Sequence, residues 1–380
     1  MGGSRVRKPV SWKDGFPAVA LALSFAITLA LVALANFIVN PFAIYPTNLV
    51  DRSAANIRKQ KYTILKRFMY EPDAIILGSS RAMTMRTDDV STRIPAHCFN
   101  FAVPSSTAED YYAALMLVTD DLGSFINTVV LAVDFEAFNP AEPLQSEIEF
   151  FPKYAHYLSL TADAKVNFAR KLTLLLSYEQ TDESIKAMNR AIRKKSGILK
   201  IKLLANGTAV QVEREKEIAD GTFNLEKILK KRVRKYPERS LKLSKYAKLD
   251  ERRLKYLDLF FDICESQGVK VYAYITPYHP ELWTVLDSHP NRKMLDVVKA
   301  RLVEIFADHG ITLHDFSHIE SFAGDPARFY DEIHPMPDTQ AKILDSLFNR
   351  NTPKLKKGIL PSNSPQVELL KDGNGTEEAK

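Results

Sequence analysis

The chain of 380 residues is long enough for one large domain or two ordinary ones, and its 46% apolar content supports a buried core. This composition excludes wholesale disorder and a collagen-like structure. Two cysteines, Cys98 and Cys264, are too few for a disulfide scaffold, and they lack the paired spacing of a thiolate metal site. The net charge of +6 favours anionic neighbours but does not by itself indicate nucleic acid.

A continuous apolar segment, residues 16–39, contains no charged side chain and is long enough to cross a bilayer. A cleaved signal peptide is the alternative, because Ala33-Leu34-Ala35 forms an A-x-A site, although the stretch exceeds the usual limit of about 15 residues and continues past that site. Basic residues precede the segment, so residues 1–15 are predicted to be cytoplasmic, although further basic residues follow it. We therefore expect a single-pass inner-membrane protein whose residues 45–350 are periplasmic. In that oxidising space Cys98 and Cys264 would be able to pair.

Short apolar runs alternate with helical patterns in the exported part. The runs at 73–77, 98–103, 128–133, 270–275 and 311–314 predict five strands. Periodicity predicts helices at 108–118, 249–266, 292–308 and 339–349. This alternation predicts a three-layer α/β/α domain with a mostly parallel five-stranded sheet, and a site at the C-terminal ends of its strands.

The middle of the domain, residues 145–248, lacks this alternation and predicts a helical insertion between the third and fourth strands. Residues 227–255 contain thirteen Lys or Arg against three acidic residues. This basic segment either faces an anionic lipid or polymer surface, or is an ordinary solvated helix face. Its few aromatic residues argue against single-stranded nucleic acid as a partner. Residues 351–380 are predicted to form a disordered tail.

Two motifs contain the residue types of nucleophilic catalysis. Ser80 lies in Gly78-Ser79-Ser80-Arg81, directly after the first predicted strand, where a turn can present a hydroxyl beside backbone N–H groups. Asp331 and His334 form a D-x-x-H motif before the last helix, where the carboxylate can hold one imidazole nitrogen while the other faces a serine. Taken alone, the serine also fits a helix N-cap, and the Asp–His pair fits an ordinary surface pair.

In this chain order, G-S-S-R after the first strand, Asn100 after the second and D-x-x-H before the last helix resemble the SGNH (GDSL-like) hydrolase superfamily, whose sheet is flavodoxin-like. The apolar N-terminal segment, the sequence at 40–45 and the Thr-Pro-Tyr-His-Pro sequence at 276–280 are similar to its membrane-anchored, DltD-like and alginate-O-acetylation-like branch. The resemblance covers residues 70–135 and 250–350. It implies Ser80 as nucleophile, His334 as general base and Asp331 as the residue that orients the imidazole.

The resemblance also implies an oxyanion site formed by the Ser80 N–H and by groups at the ends of the second and third strands. The sequence departs from the family there, because Ala102 or Ser105 stands at the expected glycine and Asp134 at the expected asparagine. An ionised Asp134 would repel an oxyanion, so it must be protonated, turned away, or a sign of weak hydrolysis. Asn139 is a candidate substitute.

Two further residues have both a functional and a structural interpretation. Arg81 is either a clamp for a carboxylate or phosphate or a member of a structural ion pair. His279 is either a substrate contact or a turn residue between prolines. The remaining histidines lack the spacing of a zinc helix, and the proposed chemistry needs neither a metal nor a cofactor.

Two function classes remain. The first is an extracytoplasmic serine esterase or O-acyltransferase that modifies a cell-envelope glycan or polymer, beside a multispanning membrane O-acyltransferase that the resemblance implies. The second is a non-catalytic glycan-binding or scaffold subunit of an envelope acylation complex. The Ser80, Asp331 and His334 set favours the first, whereas Asp134 and the missing glycine favour the second. A lipid-binding sensor has only the basic segment in its favour.

Overall fold

The structure is a computed structural model that describes residues 12–40, 45, 56–68, 71–142, 144–145, 148, 151–158, 172–192 and 201–351. Residues 1–11, most of the 40–45 sequence and all but the first residue of the expected tail lie outside the described residues. The chain divides into two compact units. The first comprises residues 1–56 and 162–198, and the second comprises residues 57–161 and 199–380.

A five-stranded parallel sheet forms the centre of the second unit. The strands of the described chain are β1 Ala74–Leu77, β2 Cys98–Asn100, β3 Thr128–Val133, β4 Lys202–Leu203, β5 Ala209–Val210, β6 Lys270–Ile275 and β7 Leu313–Asp315. The sheet has the order β2-β1-β3-β6-β7, and each neighbouring pair is parallel. Strands β1, β2 and β3 are buried along their whole length, as expected for a parallel sheet covered on both faces. The predicted α/β architecture is confirmed.

Helices cover both faces of the sheet. The helices of the described chain are α1 Trp12–Val39, α2 Ile57–Arg67, α3 Thr87–Ser91, α4 Ala108–Met116, α5 Pro152–Tyr157, α6 Tyr178–Ile192, α7 Val212–Ala219, α8 Leu225–Arg232, α9 Tyr236–Arg239, α10 Glu251–Ser266, α11 Pro280–Asp287, α12 Lys293–Asp308 and α13 Pro337–Asn351, of which α1 and α6 belong to the first unit. From β1 the chain moves to β2 at one edge of the sheet. The later connections, from β2 to β3, from β3 to β6 and from β6 to β7, all move towards the opposite edge. Right-handed connections therefore place α3 on one face, with α13 against it, and α4, α10 and α12 on the other.

The strand order reverses between β1 and β3, which is where doubly wound sheets form their ligand sites. Gly78 follows β1 directly and has φ +145, and a Cβ atom built on it would lie 2.7 Å from the Cβ atom of Ala132. Only glycine therefore lets the chain pass this close to β3 before it turns at Ser79 and Ser80. Both the conformation and the position of the G-S-S-R turn follow from this contact.

The insertion between β3 and β6 includes one feature that its sequence did not predict. Strands β4 and β5 form a two-residue antiparallel pair within residues expected to be helices and loops. The loop that joins them covers the free edge of β2, because the Asn100 N–H donates to the Asn206 carbonyl at 2.9 Å. Gly207 makes this approach possible, since a Cβ atom there would lie 2.3 Å from the Asn100 carbonyl oxygen.

The first unit contains α1 and α6. Within α1, residues Val19–Val39 form an apolar stretch with a mean hydropathy of 2.3, and only 11% of it is buried. Among the residues that the structure describes, this is the one helix long and apolar enough to cross a membrane.

Candidate active site

Ser80, His334 and Asp331 form a continuous chain of hydrogen bonds. The Ser80 hydroxyl lies 2.8 Å from Nε2 of His334, and Nδ1 of the same imidazole lies 2.8 Å and 2.9 Å from the two Asp331 carboxylate oxygens. If the Asp331 contact holds the proton on Nδ1, Nε2 is free to accept the serine proton. The structure therefore brings together the three residues that the two sequence motifs predicted.

The Asp331 carboxylate is held by its own loop. Its Oδ1 atom accepts backbone N–H bonds from Ile333 and His334, each at 3.0 Å. Burial by itself would raise the pKa of Asp331, but the His334 imidazole, the Arg232 guanidinium and the Ile333 N–H lower it below the ordinary value. Asp331 therefore stays ionised beside the imidazole over the whole neutral range.

Arg232 joins this carboxylate from the insertion. Its guanidinium lies 3.5 Å from Asp331 and 2.7 Å from the neighbouring Glu332, whose side chain is almost fully buried. Burial and the adjacent Asp331 charge raise the pKa of Glu332, so Arg232 balances two carboxylates that lie side by side. Sequence reasoning missed this residue, because it is one of thirteen cations in the basic segment and nothing in its local pattern distinguishes it.

Asn100 supports the turn that carries Ser80 rather than lining the site. Its side-chain N–H groups donate to the carbonyls of Ala82, Met83 and Met85, and it is fully buried. The buried Lys61 side chain donates to the Asn100 carbonyl at 2.7 Å, and burial lowers the pKa of this lysine well below the ordinary value. Asn100 therefore fixes the backbone just after Ser80.

Ser105 has the backbone conformation expected of the missing glycine. Its φ angle is 48, in the left-handed region that favours glycine, and the residue is exposed in the cleft beside Ser80. The N–H groups of Ser80 and Ser105 donate to no other residue that the structure describes. The Ala102 N–H, in contrast, donates to Oδ1 of Asn100 at 3.0 Å. Of the two candidates for the glycine position, Ser105 is the one with an N–H available to an oxyanion.

Asp134 lies at the end of β3 and lines the same cleft, in a buried polar network. Its Oδ1 atom accepts from the Thr276 hydroxyl at 2.6 Å and lies 3.7 Å from Nη1 of Arg81. Burial raises the pKa of Asp134, and the nearby Arg81 charge opposes that shift. The carboxylate thus faces a cation and two hydroxyl donors, those of Thr276 and Ser79, which reduces its repulsion of an oxyanion.

Arg81 is a member of this buried network. Its Nη1 atom donates to Thr276 at 2.8 Å, and its Nη2 atom donates to Glu136 at 2.5 Å and to the Tyr236 hydroxyl at 2.6 Å. Burial alone would lower the pKa of Arg81, but Asp134 and Glu136 raise it well above the ordinary value. Of its two interpretations, the contacts match the structural ion pair.

His279 and Asn139 lie outside the cleft. His279 is the N-cap of α11, where Nδ1 accepts from the Glu281 N–H, and Nε2 lies 3.1 Å from the Pro326 carbonyl. Burial lowers the pKa of His279, which favours its neutral form. The Asn139 amide donates to the Leu241 carbonyl at 2.8 Å and so holds the insertion. The structure does not bring either side chain to Ser80.

The cleft around Ser80 has a volume of about 280 Å³ and a polar lining. One wall consists of hydroxyl side chains that follow β1 and β2, namely Ser79, Ser80, Ser105, Ser106 and Thr107. The facing wall comes from the insertion, which contributes Tyr236, Arg239, Ser240 and Lys242. Part of the basic segment is therefore a component of the site.

The two cysteines are buried, and no disulfide joins them, so the pairing that export would allow does not form. Burial raises the pKa of Cys264 to about 12 and that of Cys98 further above its ordinary value. Among the residues that the structure describes, no cluster of three or more His, Cys, Asp or Glu side chains is placed to hold a metal ion.

The fold and the site together define an α/β protein with a Ser-His-Asp hydrogen-bond chain at the switch point of a parallel sheet. The chain belongs to the DUF1574 family, described as a protein of unknown function, whose family model matches residues 70–350. That range includes all three residues of the hydrogen-bond chain and the insertion. A search among curated proteins finds no match.

Proposed function

We propose that this protein is a serine esterase or O-acyltransferase of the SGNH type that modifies a cell-envelope glycan or polymer. The observation that carries the proposal is the pair of contacts from Ser80 to Nε2 of His334 and from Nδ1 to Asp331, at 2.8 Å each. A serine hydroxyl needs such a base, oriented by a carboxylate, to become a nucleophile near neutral pH.

In the proposed reaction, the Ser80 oxygen attacks the carbonyl carbon of an acyl ester while His334 takes the hydroxyl proton. The tetrahedral oxyanion is stabilised by the N–H groups of Ser80 and Ser105. It collapses to a Ser80 ester as His334 returns the proton to the leaving alcohol oxygen. Water or a glycan hydroxyl then attacks this ester by the same steps in reverse, giving hydrolysis or transfer.

The cleft supports a small acyl group and a polar acceptor. Its volume of about 280 Å³ lies just below the ~300–1,000 Å³ range of ligand pockets. Its lining is rich in hydroxyl groups and contains both cations and carboxylates, which suits a carbohydrate better than a long acyl chain.

The proposed location is the inner membrane, with α1 as a single-pass anchor and the catalytic unit in the periplasm. The apolar length of α1 supports the anchor, and the basic residues before it support the orientation. A multispanning membrane O-acyltransferase is the proposed acyl-supplying partner, by resemblance to anchored SGNH proteins.

One observation favours the alternative of a non-catalytic glycan-binding or scaffold subunit. Asp134 places a carboxylate where the family resemblance expects an oxyanion-binding asparagine. A protein that had lost acyl transfer would have no need of the oxyanion site, and would tolerate this change.

Hydrolysis of p-nitrophenyl acetate by the full chain in nanodiscs distinguishes the proposed enzyme from the non-catalytic subunit. The wild type is expected to release p-nitrophenolate, with an initial burst equal to the protein concentration if deacylation is slow. Ser80→Ala and His334→Ala should each lower the rate at least about a hundredfold. Ser288→Ala, which removes an exposed serine on another loop, is the matched control and should match the wild type. A wild-type rate no greater than that of Ser80→Ala would favour the non-catalytic subunit.

A further inference from the structure

In the first unit, α6 is hydrogen-bonded to the C-terminal end of the apolar helix α1. Asn36 lies in the last turn of α1, and its side chain donates to the Leu175 carbonyl at 2.7 Å and to the Thr181 hydroxyl at 2.8 Å. The Gln180 side chain donates in return to the Asn36 carbonyl at 3.4 Å. These bonds hold α6 and the residues just before it beside the last turn of α1.

The residues of α6 that face inward are small or polar. Gln180, Ser184 and Ala187 are spaced by four and three positions, which places them on one helix face, and each is at most 4% exposed. Gln180, on this face, donates the hydrogen bond to the Asn36 carbonyl of α1. Small side chains allow two helices to approach closely, as they do in membrane helix pairs.

A different face of the same segment exposes large apolar side chains. On α6 these are Tyr178, Ile185 and Met188, which are spaced by seven and three positions and are 85%, 53% and 42% exposed. Leu172 and Leu176, just before α6, are 49% and 46% exposed. Scattered exposed apolar residues need no explanation, but five on one short segment indicate a surface that none of the described residues covers.

We propose that this apolar surface, formed by Leu172, Leu176, Tyr178, Ile185 and Met188, lies in the interfacial layer of the lipid bilayer. The inference rests on the proposed role of α1 as an anchor. Asn36 is three residues from the end of α1, so at ~1.5 Å per residue it lies within ~5 Å of the point where the helix leaves the apolar layer. Side chains hydrogen-bonded to Asn36 are therefore held at the depth of the headgroups.

Lipid is the occupant that this position favours. The exposed side chains of α1, among them Leu21, Phe25 and Leu34, form an apolar surface that lipid covers when the helix spans the bilayer, and the surface of α6 is fixed beside its end. Tyrosine together with leucine and isoleucine is typical of a segment at the membrane interface. The segment thus adds a second membrane contact to the single helix.

Depth-dependent fluorescence quenching of the full chain in nanodiscs tests the proposal. Ile185→Cys and Met188→Cys carry a bimane label, and Phe25→Cys on α1 and Asp308→Cys on α12 serve as bilayer and water references. The native Cys98 and Cys264 are buried with raised pKa values, so they should not react, which wild-type labelling checks. Doxyl-labelled lipid and aqueous iodide are the two quenchers.

The proposal predicts that lipid with its doxyl group close to the headgroups quenches the labels at 185 and 188 at least as strongly as that at 25, and that iodide quenches them much less than that at 308. Strong iodide quenching at 185 and 188, with the label at 25 still quenched by lipid, would overturn the interfacial placement and leave the anchor intact. Protection from both quenchers would overturn it in favour of a protein partner. If lipid also fails to quench the label at 25, the result would instead contradict the proposal that α1 is a membrane anchor.

Discussion

Single residues of the site are fixed mainly by their immediate neighbours in the chain. Asp331 accepts bonds from the N–H groups two and three residues ahead, and its carboxylate contacts the imidazole of His334 in the same short loop. These contacts join residues at most three positions apart, which is why the motif can be recognised in the sequence. The Ser80 contact spans 254 residues and depends on the fold.

Asp331→Asn tests the ionisation of this carboxylate. Because the folded-state pKa of Asp331 is below its ordinary value of about 3.9, its charge stabilises the fold above that pH, and this stability is lost as the pH falls towards the folded-state pKa. The wild type should therefore melt higher than Asp331→Asn at about pH 5, and the gap should narrow at about pH 3. The measurement is the melting temperature of the full chain in detergent at both pH values. A gap that stays constant or widens would contradict a lowered pKa.

At the scale of secondary-structure elements, the sheet was predictable and the insertion was not. Apolar runs such as Thr128–Val133 are local signals, and the sequence placed all five sheet strands, two of them, β3 and β6, with the observed bounds. The insertion forms a cleft wall through contacts that span long distances, such as the bond from Arg81 to Tyr236 across 155 residues. No pattern within residues 145–248 encodes which of their side chains line the cleft around Ser80.

The contact of α8 with the loop that carries His334 gives one prediction. Arg232→Gln removes the guanidinium that balances Glu332 and Asp331, so the loop carrying His334 should lose its position and p-nitrophenyl acetate hydrolysis should fall roughly tenfold. Lys231→Gln is the charge-matched control, because Lys231 is exposed on the same helix. Arg232→Lys should restore part of the rate. Equal rates for Arg232→Gln and Lys231→Gln would show that α8 has no such role.

The loop that covers the edge of β2 gives another prediction, with a matched pair of glycines. Gly207 and Gly221 have φ angles of +79 and +68, but a Cβ atom at Gly207 would lie 2.3 Å from the Asn100 carbonyl, whereas at Gly221 nothing lies within 4 Å. Both alanine substitutions incur the strain of positive φ, about 1 kcal/mol, and only Gly207→Ala adds the collision. Thermal unfolding should show a clearly larger decrease in melting temperature for Gly207→Ala. Equal decreases would mean that the edge contact does not contribute to stability.

For the whole molecule, the main feature is the division into a first unit with one long apolar helix and a second unit with the candidate active site. The sequence indicated both the long helix and the α/β domain. An unbroken apolar run predicts the helix, whereas the alternation of short apolar runs with helical periodicity predicts the domain. The sequence did not indicate that residues 172–192 belong with α1, since that association depends on the contacts of Asn36.

Retention of the apolar helix distinguishes an anchor from a cleaved signal peptide. We expect the chain purified from membranes to have an intact mass that includes residues 16–39, and to resist extraction by alkaline carbonate, because a spanning helix stays in the lipid. A mature chain that begins shortly after Ala35 would contradict the anchor and the membrane contact of α6 with it.

The central claim is that Ser80 is an activated nucleophile. Its most direct test is to react the full chain with a fluorophosphonate probe and to locate the adduct by tandem mass spectrometry. The hydrogen-bond chain from Ser80 through His334 to Asp331 predicts a single adduct on Ser80, which His334→Ala abolishes and Ser288→Ala leaves unchanged. No adduct on well-folded wild-type protein, or an adduct on another serine that persists in His334→Ala, would contradict it.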